Sequence, residues 1–152
     1  EFDLAAEARA VVNNASRTGI RLDIRIANGQ DAAYAMGDPL RVRQIMRNLL
    51  TNAYRYGGDD VAVEVEQTPD VCVLAVTDNG VGVPEADADR IFDSYQRSEN
   101  AVQQPKSVGL GLSVSRKLAR LMGGELVYRR VDNRTRFELT IPASLAAQLR
   151  IG

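Results

Sequence analysis

Two strand pairs joined by very short connections restrict the fold of this chain more than any other feature. "VAVEVEQ" and "VCVLAVT" are separated only by Thr68-Pro69-Asp70, and "ELVYRR" and "TRFELTIP" by a turn at Asp132-Asn133. All four runs are rich in β-branched or aromatic residues, and both connections carry turn formers. Connections this short make hairpins, so each pair must be antiparallel. "IRLDIRI" adds a half-buried strand with Ile20, Leu22, Ile24 and Ile26 on one side, and a short strand is expected around Ala33 to Met36.

Helical periodicity fills most of the remainder. Phe2, Leu4, Ala8, Val11 and Val12 recur at helical spacing up to a stop at Gly19. Asp38 is a good N-cap before Pro39, and Val42, Ile45, Met46, Leu49, Leu50 and Ala53 then share one face until Gly57-Gly58. A short helix is expected across Ala86 to Tyr95, then a polar, mobile loop over about 98–108. "GLGLSVSRKLARLMGG" reads as a loop entering a helix that closes on a glycine pair. The expectation is an α+β chain forming a single domain over 1–152: a two-layer sandwich, with a mixed, mostly antiparallel sheet backed by helices.

Composition narrows the function. A net charge of −1 with 26% charged residues leaves no basic excess for unspecific binding to nucleic acid or membrane surface. No apolar run approaches the roughly 20 residues of a membrane span, and the opening residues do not read as a signal peptide, so a cytoplasmic setting is expected. The lone Cys72 sits in a strand pattern as a small core residue. The chain has no histidine, which excludes Ser-His-Asp and Cys-His catalysis.

Three local features point to chemistry. Arg41, Gln44, Asn48, Asn52 and Arg55 form a polar stripe on the helix after Asp38. Asparagine is a poor choice in mid-helix, where Glu, Lys or Arg would serve a solvated face better. An amide oxygen can ligate a metal ion, and Arg55 could meet an anion. "DNGVGV", Asp78 to Val83, is a loop whose Gly80 and Gly82 allow a ligand to approach the backbone. Gly109 and Gly111 stand near an expected helix start, where free N–H groups suit phosphate. By spacing, neither glycine loop is a P-loop or a G-x-G-x-x-G motif.

In order along the chain, these features resemble the catalytic ATP-binding domain of bacterial sensor histidine kinases. "GDPLRVRQIMRNLLTNAYRYG" is similar to that family's N box, "DNGVGVP" to its first glycine box, "IFDSYQR" to its F box and "VGLGLSVSRKLARLMGG" to its second glycine box. The resemblance runs from Phe2 to Pro142 and implies the Bergerat fold shared with gyrase, mismatch-repair and chaperone ATPases. It implies that Asp78 accepts a hydrogen bond from the adenine amino group, with Gly80 and Gly82 closing around the base. Asn52 would hold magnesium, Asn48 and Arg55 would act beside the phosphates, and Tyr56 would pack by the nucleotide. Arg97 and Lys106 flank the implied lid, and Val108, Gly109, Leu110, Gly111 and Leu112 would cradle phosphates. Thr135 matches a threonine of the last hairpin. Ser107 stands where the second glycine box begins with glycine, Tyr95 replaces a phenylalanine of the F box, and "DNR" replaces glycines before Thr135.

The implied activity is that of a protein histidine kinase domain using ATP and Mg2+. Its partners would be the dimerisation and histidine phosphoacceptor domain of the same full-length protein and a downstream response regulator. The segment itself would be monomeric, would contact neither nucleic acid nor membrane, and would belong to the cytoplasmic portion of a membrane-bound sensor. The competing readings are an anti-sigma-factor serine kinase, a gyrase- or chaperone-type clamp driven by ATP, and a binding-only pseudo-kinase. In the gyrase type the position matching Asn48 is a glutamate that activates water. An amide cannot act as that base.

Overall fold

In the computed structural model, residues 1–15, 19, 21–27, 31–56, 58–84, 86, 90–93 and 106–144 are described, with backbone alone at Tyr56 and 106–110. The elements run β1 (Phe2–Asp3), α1 (Leu4–Asn13), β2 (Arg21–Ile26), β3 (Tyr34–Ala35), α2 (Pro39–Tyr56), β4 (Asp60–Gln67), β5 (Val71–Asp78), α3 (Lys106–Leu121), β6 (Glu125–Val131) and β7 (Arg134–Pro142). A five-stranded sheet has the order β2-β4-β5-β7-β6, and β1 pairs with β3 beside it. Both expected hairpins form as antiparallel pairs, while β2 joins β4 in parallel. The result is the mixed, mostly antiparallel sheet backed by helices that the sequence implies.

Strand alternation decides what each face of the sheet meets. In β7 every second residue is buried, and Phe137, Leu139 and Ile141 point to the helices with Val76, Leu74 and Cys72 of β5. The apolar face of α2 lies on them: Val42, Ile45, Met46, Leu49, Leu50 and Ala53 are all buried. The opposite face carries ion pairs instead of a second layer. Arg136 bonds Glu138 at 2.7 Å and Glu64 at 3.1 Å, and Arg129 meets Glu138 at 3.3 Å. The small residues in register with or next to them, Ala62, Ala75 and Thr77, are buried. Burial alone would lower the Arg136 pKa, but the bonds to Glu138 and Glu64 outweigh it and hold the charge more firmly.

The first helix is shorter than expected. Asp3 caps it by accepting from the Ala5 and Ala6 N–H groups, and it ends at Asn13, six residues before Gly19. The Asn14 amide turns back to the Ala10 carbonyl at 3.1 Å, a local bond that competes with further helix. Of the expected helix at 86–95, the described residues are Ala86 and 90–93, where Ala86 and Arg90 are in 3-10 conformation and the chain then turns; the rest lie outside the described residues. There the Asp93 N–H closes one turn on the Arg90 carbonyl, and Phe92 packs edge-on against Phe137, ring centroids 6.2 Å apart. The third helix starts at Lys106, so Gly109 and Gly111 lie within it and not in a loop before it. Of the expected loop at 98–108, residues 98–105 lie outside the described residues.

Glu125 ties the end of α3 to the edge strand. It accepts from Arg116 at 3.0 Å and from Arg120 at 3.2 Å, and from the Leu126 N–H at 2.9 Å. Burial pushes its carboxyl upward, but those three donors outweigh it and hold the pKa at about 2, below the ordinary 4.5. A carboxylate depressed in the folded state contributes stability fully above its unfolded value and loses it as pH falls toward the folded one. Acid titration from pH 4.5 to about 2 should therefore destabilise the wild type more steeply than Glu125→Gln. Equal slopes by circular dichroism would contradict this. The charge network is partly solvent-screened, so the difference should shrink in high salt.

Candidate nucleotide site

The site grows from one row of the sheet. Register places Val61, Asp78, Thr135 and Arg130 side by side across β4, β5, β7 and β6. On the same face, the next rows are the core residues Val63, Val76 and Phe137, then Val65, Leu74 and Leu139, so Asp78 ends β5 at the rim of the core and is 3% exposed. Its Oδ1 accepts from the Gly80 N–H at 2.9 Å, which turns the chain sharply after the strand. Oδ2 accepts no hydrogen bond among the described residues. Burial pushes the Asp78 carboxyl above its ordinary value, and the Gly80 N–H and the charges of Arg134 and Arg130 draw it back down.

The loop that follows is pinned by the last hairpin. Gly82 has φ +80°, and a Cβ there would stand 2.9 Å from the Tyr128 hydroxyl and 3.1 Å from Arg130 Nη1 and Thr135 Oγ1. The Val83 N–H donates to the Tyr128 hydroxyl at 3.1 Å. Tyr128 packs on Phe137 (5.3 Å), and the Arg116 guanidinium of α3 lies 4.6 Å over the Phe92 ring. Aromatic packing thus joins the F-box phenylalanine, the hairpin and α3.

The polar stripe of α2 spans the distance between α3 and this loop. At one end Asn48 Nδ2 donates to Ser115 Oγ at 3.0 Å and to the Gly111 carbonyl at 3.4 Å. One turn on, Asn52 is half-buried and makes no side-chain hydrogen bond among the described residues, and Arg55 is exposed in the last turn. Beyond the helix, Gly58 abuts Asn79: a Cβ at Gly58 would stand 2.4 Å from Asn79 Oδ1. Asn79 in turn accepts from the Asp60 N–H at 3.1 Å and donates to Asp59 at 3.0 Å. The residue next to Asp78 therefore anchors the start of β4, just after α2.

Among the expected site residues, Asp78, Gly80, Gly82 and Thr135 converge on the sheet rim, and Asn48, Asn52 and Arg55 line the helix leading there. Tyr56 closes α2, and Lys106, Val108, Gly109 and Leu110 lie in the first turns of α3. The N–H groups of 106–108, in the first turn of that helix, have no intrahelical acceptor. Leu112 turns its side chain into the core, 8% exposed, and so away from a ligand at the helix start. Arg97 lies outside the described residues. Asn79, Ser115, Tyr128 and Arg130 were not anticipated. Asn79 had a signal in its place beside Asp78, but the others needed the strand register and the helix contact.

No group of three or more His, Cys, Asp or Glu side chains that could hold a metal ion occurs among the described residues. Asn52 can supply one neutral oxygen, which suits an ion that draws its other ligands from water and nucleotide phosphates. Among the described residues no helix is long and apolar enough to cross a membrane.

The profile of the histidine kinase-, DNA gyrase B-, and HSP90-like ATPases matches residues 37–145. The circadian input-output histidine kinase CikA of Synechococcus elongatus is 30% identical over 146 residues, 91% of this chain and 19% of CikA. The sensor protein ChvG of Agrobacterium fabrum is 32% identical over 79% of this chain and 22% of its own length. The signal transduction histidine-protein kinase BarA of Escherichia coli is 33% identical over 65% of this chain and 12% of its own. This chain therefore spans about a fifth or less of these relatives. Among solved structures, the mycobacterial sensor histidine kinase MprB superposes with TM-score 0.80 at 22% identity, covering 93% of this chain and 97% of that one. The ATP-binding domain of PrrB from Mycobacterium tuberculosis superposes with TM-score 0.75 at 20% identity, covering 94% and 96%. The chain belongs to the histidine kinase-, DNA gyrase B-, and HSP90-like ATPase family, with the fold of the ATP-binding catalytic domains of sensor histidine kinases.

Proposed function

We propose that this chain is the catalytic domain of a two-component sensor kinase. It binds Mg-ATP and supplies the γ-phosphoryl group to a histidine in a separate dimerisation and phosphoacceptor domain of the same full-length protein. From there the phosphoryl group would pass to a response regulator. The observation that carries the reading is the Asp78 carboxylate, buried at the sheet rim with one oxygen used by Gly80 and the other open to a donor. An adenine amino group is such a donor, whereas guanine presents an acceptor at the same place.

Along α2, Asn52 would offer its amide oxygen to magnesium and Arg55 its guanidinium to phosphate oxygens. Magnesium held there would supply charge neutralisation for the phosphates. The N–H groups at the start of α3 would face the phosphates, and Arg97 or Lys106, which flank the expected lid in sequence, would reach the γ-phosphate. Asn48 donates hydrogen bonds from its amide to Ser115 and Gly111, and holds no carboxylate that could arm a water. Slow hydrolysis suits a domain that must keep its phosphoryl group until the acceptor arrives.

The test is phosphotransfer in trans. Given radiolabelled ATP, the chain should not label itself on histidine, having none, and should label a separately supplied phosphoacceptor domain. Asn52→Ala should weaken the magnesium-dependent part of ATP binding about tenfold or more, as for a bond to a charged group. Steady hydrolysis by the isolated chain at about 1 s⁻¹ or faster would favour the clamp reading, and transfer to a partner's serine the anti-sigma reading.

A further inference from the structure

The last hairpin contributes an arginine to the nucleotide loop that the proposed function does not use. β6 and β7 are joined by Asp132 and Asn133, whose φ values of 50° and 64° make the tight turn that sets Arg130 opposite Thr135. From there Arg130 Nη1 donates to the Gly80 carbonyl at 2.7 Å and to Thr135 Oγ1 at 2.9 Å. Its Nη2 reaches Asn133 Oδ1 at 3.4 Å. The guanidinium thus grips the residue whose N–H holds Asp78 Oδ1.

Arg134 does not duplicate this grip. It is spent on the other side, on the Asp60 carbonyl at 3.2 Å, the Asp60 carboxylate at 3.5 Å and Thr77 Oγ1 at 3.3 Å. Tyr128 holds the far end of the loop at Val83. Arg130 alone, among the described side chains, donates to the Gly80 carbonyl, between the carboxylate and Gly82.

We propose that Arg130 is a specificity-determining positioning residue of the adenine site: by fixing Gly80 it aims the open oxygen of Asp78 at a 6-amino group. The inference rests on the nucleotide reading above. A carboxylate can discriminate amino from keto purines only while its direction is set. An Asp78 on a slack turn could swing away from an incoming O6, and would hold N6 less well.

The experiment compares ATP and GTP affinities, by competition with a fluorescent ATP analogue, for wild type, Arg130→Met and Arg130→Lys. Arg130→Met should bind ATP about tenfold more weakly, the loss of one oriented hydrogen bond, with GTP affinity unchanged or slightly raised. Its melting temperature should stay within about 2 °C of wild type, as for an exposed side chain. Arg130→Lys can still donate to the Gly80 carbonyl and should recover most of the ATP:GTP ratio. A ratio within twofold of wild type in Arg130→Met would overturn the proposal. So would a parallel loss of both nucleotides, or a lysine variant no better than methionine. If wild type itself fails to bind ATP, the nucleotide reading fails and takes this inference with it.

Discussion

Asp78→Asn is expected to weaken ATP binding by about 1.5–3 kcal/mol, the range for a hydrogen bond to a charged group, or roughly ten- to 150-fold. The geometry gives the sign. Oδ1 of Asp78 is already committed to the Gly80 N–H. In the variant the amide oxygen must take that place, because only it can accept, and the NH2 is left facing the base. Two donors then meet where a donor and an acceptor did. GTP should bind far more weakly than ATP to the wild type, and the variant should narrow the gap, since an NH2 can meet O6. Calorimetry on the two nucleotides checks both statements. Equal wild-type affinities would remove adenine recognition from Asp78.

Gly124→Ala should be severely damaging, costing about 3 kcal/mol or more. A Cβ at Gly124 would stand 1.8 Å from the Thr140 carbonyl oxygen and 3.1 Å from the Ile141 side chain. The obstacle is backbone within the β6–β7 ladder, where Glu125 pairs with Thr140, so the strands themselves must part. Overpacking a flexible side chain costs about 1–3 kcal/mol, and a rigid ladder yields less readily. The neighbouring Gly123 provides the comparison. Its φ is +79°, but the nearest atom to an added Cβ is 3.6 Å away, so alanine there should cost only the left-handed backbone penalty of about 1–2 kcal/mol. Chemical denaturation of the two variants should rank Gly124→Ala well below Gly123→Ala. The reverse order would show that conformation, not contact, governs this corner.

That glycine pair shows where sequence reading stops. "GG" after a helical run announces a helix end, and α3 does end there. Which of the two glycines touches another strand depends on residues sixteen and seventeen positions further along, and no local pattern contains that. The same limit applied at the start of α3. "GLGL" read as a loop entering a helix near Gly109 and Gly111, but α3 runs through both, with Asn48 and Ser115 bonded across the helix pair and Leu112 in the core. At α1 the error ran the other way, because Gly19 looked like a stop although Asn13 and Asn14 had already ended the helix.

The sequence by itself determined both hairpins, the apolar face of α2 with its Asp38 start, the alternation that gives the sheet one core face, and the ordered boxes that named the family. These are local or nearest-neighbour properties: side-chain period, turn chemistry and cap chemistry act within a few residues. Only the tertiary structure decided that Asp78, Thr135 and Arg130 share one row, that Asn79 holds the start of β4, and that Asn48 belongs to a helix–helix contact. Each of these depends on register between segments far apart in the chain, and a one-residue slip of any strand would turn its side chains to the other face. Register is set by packing the whole core at once.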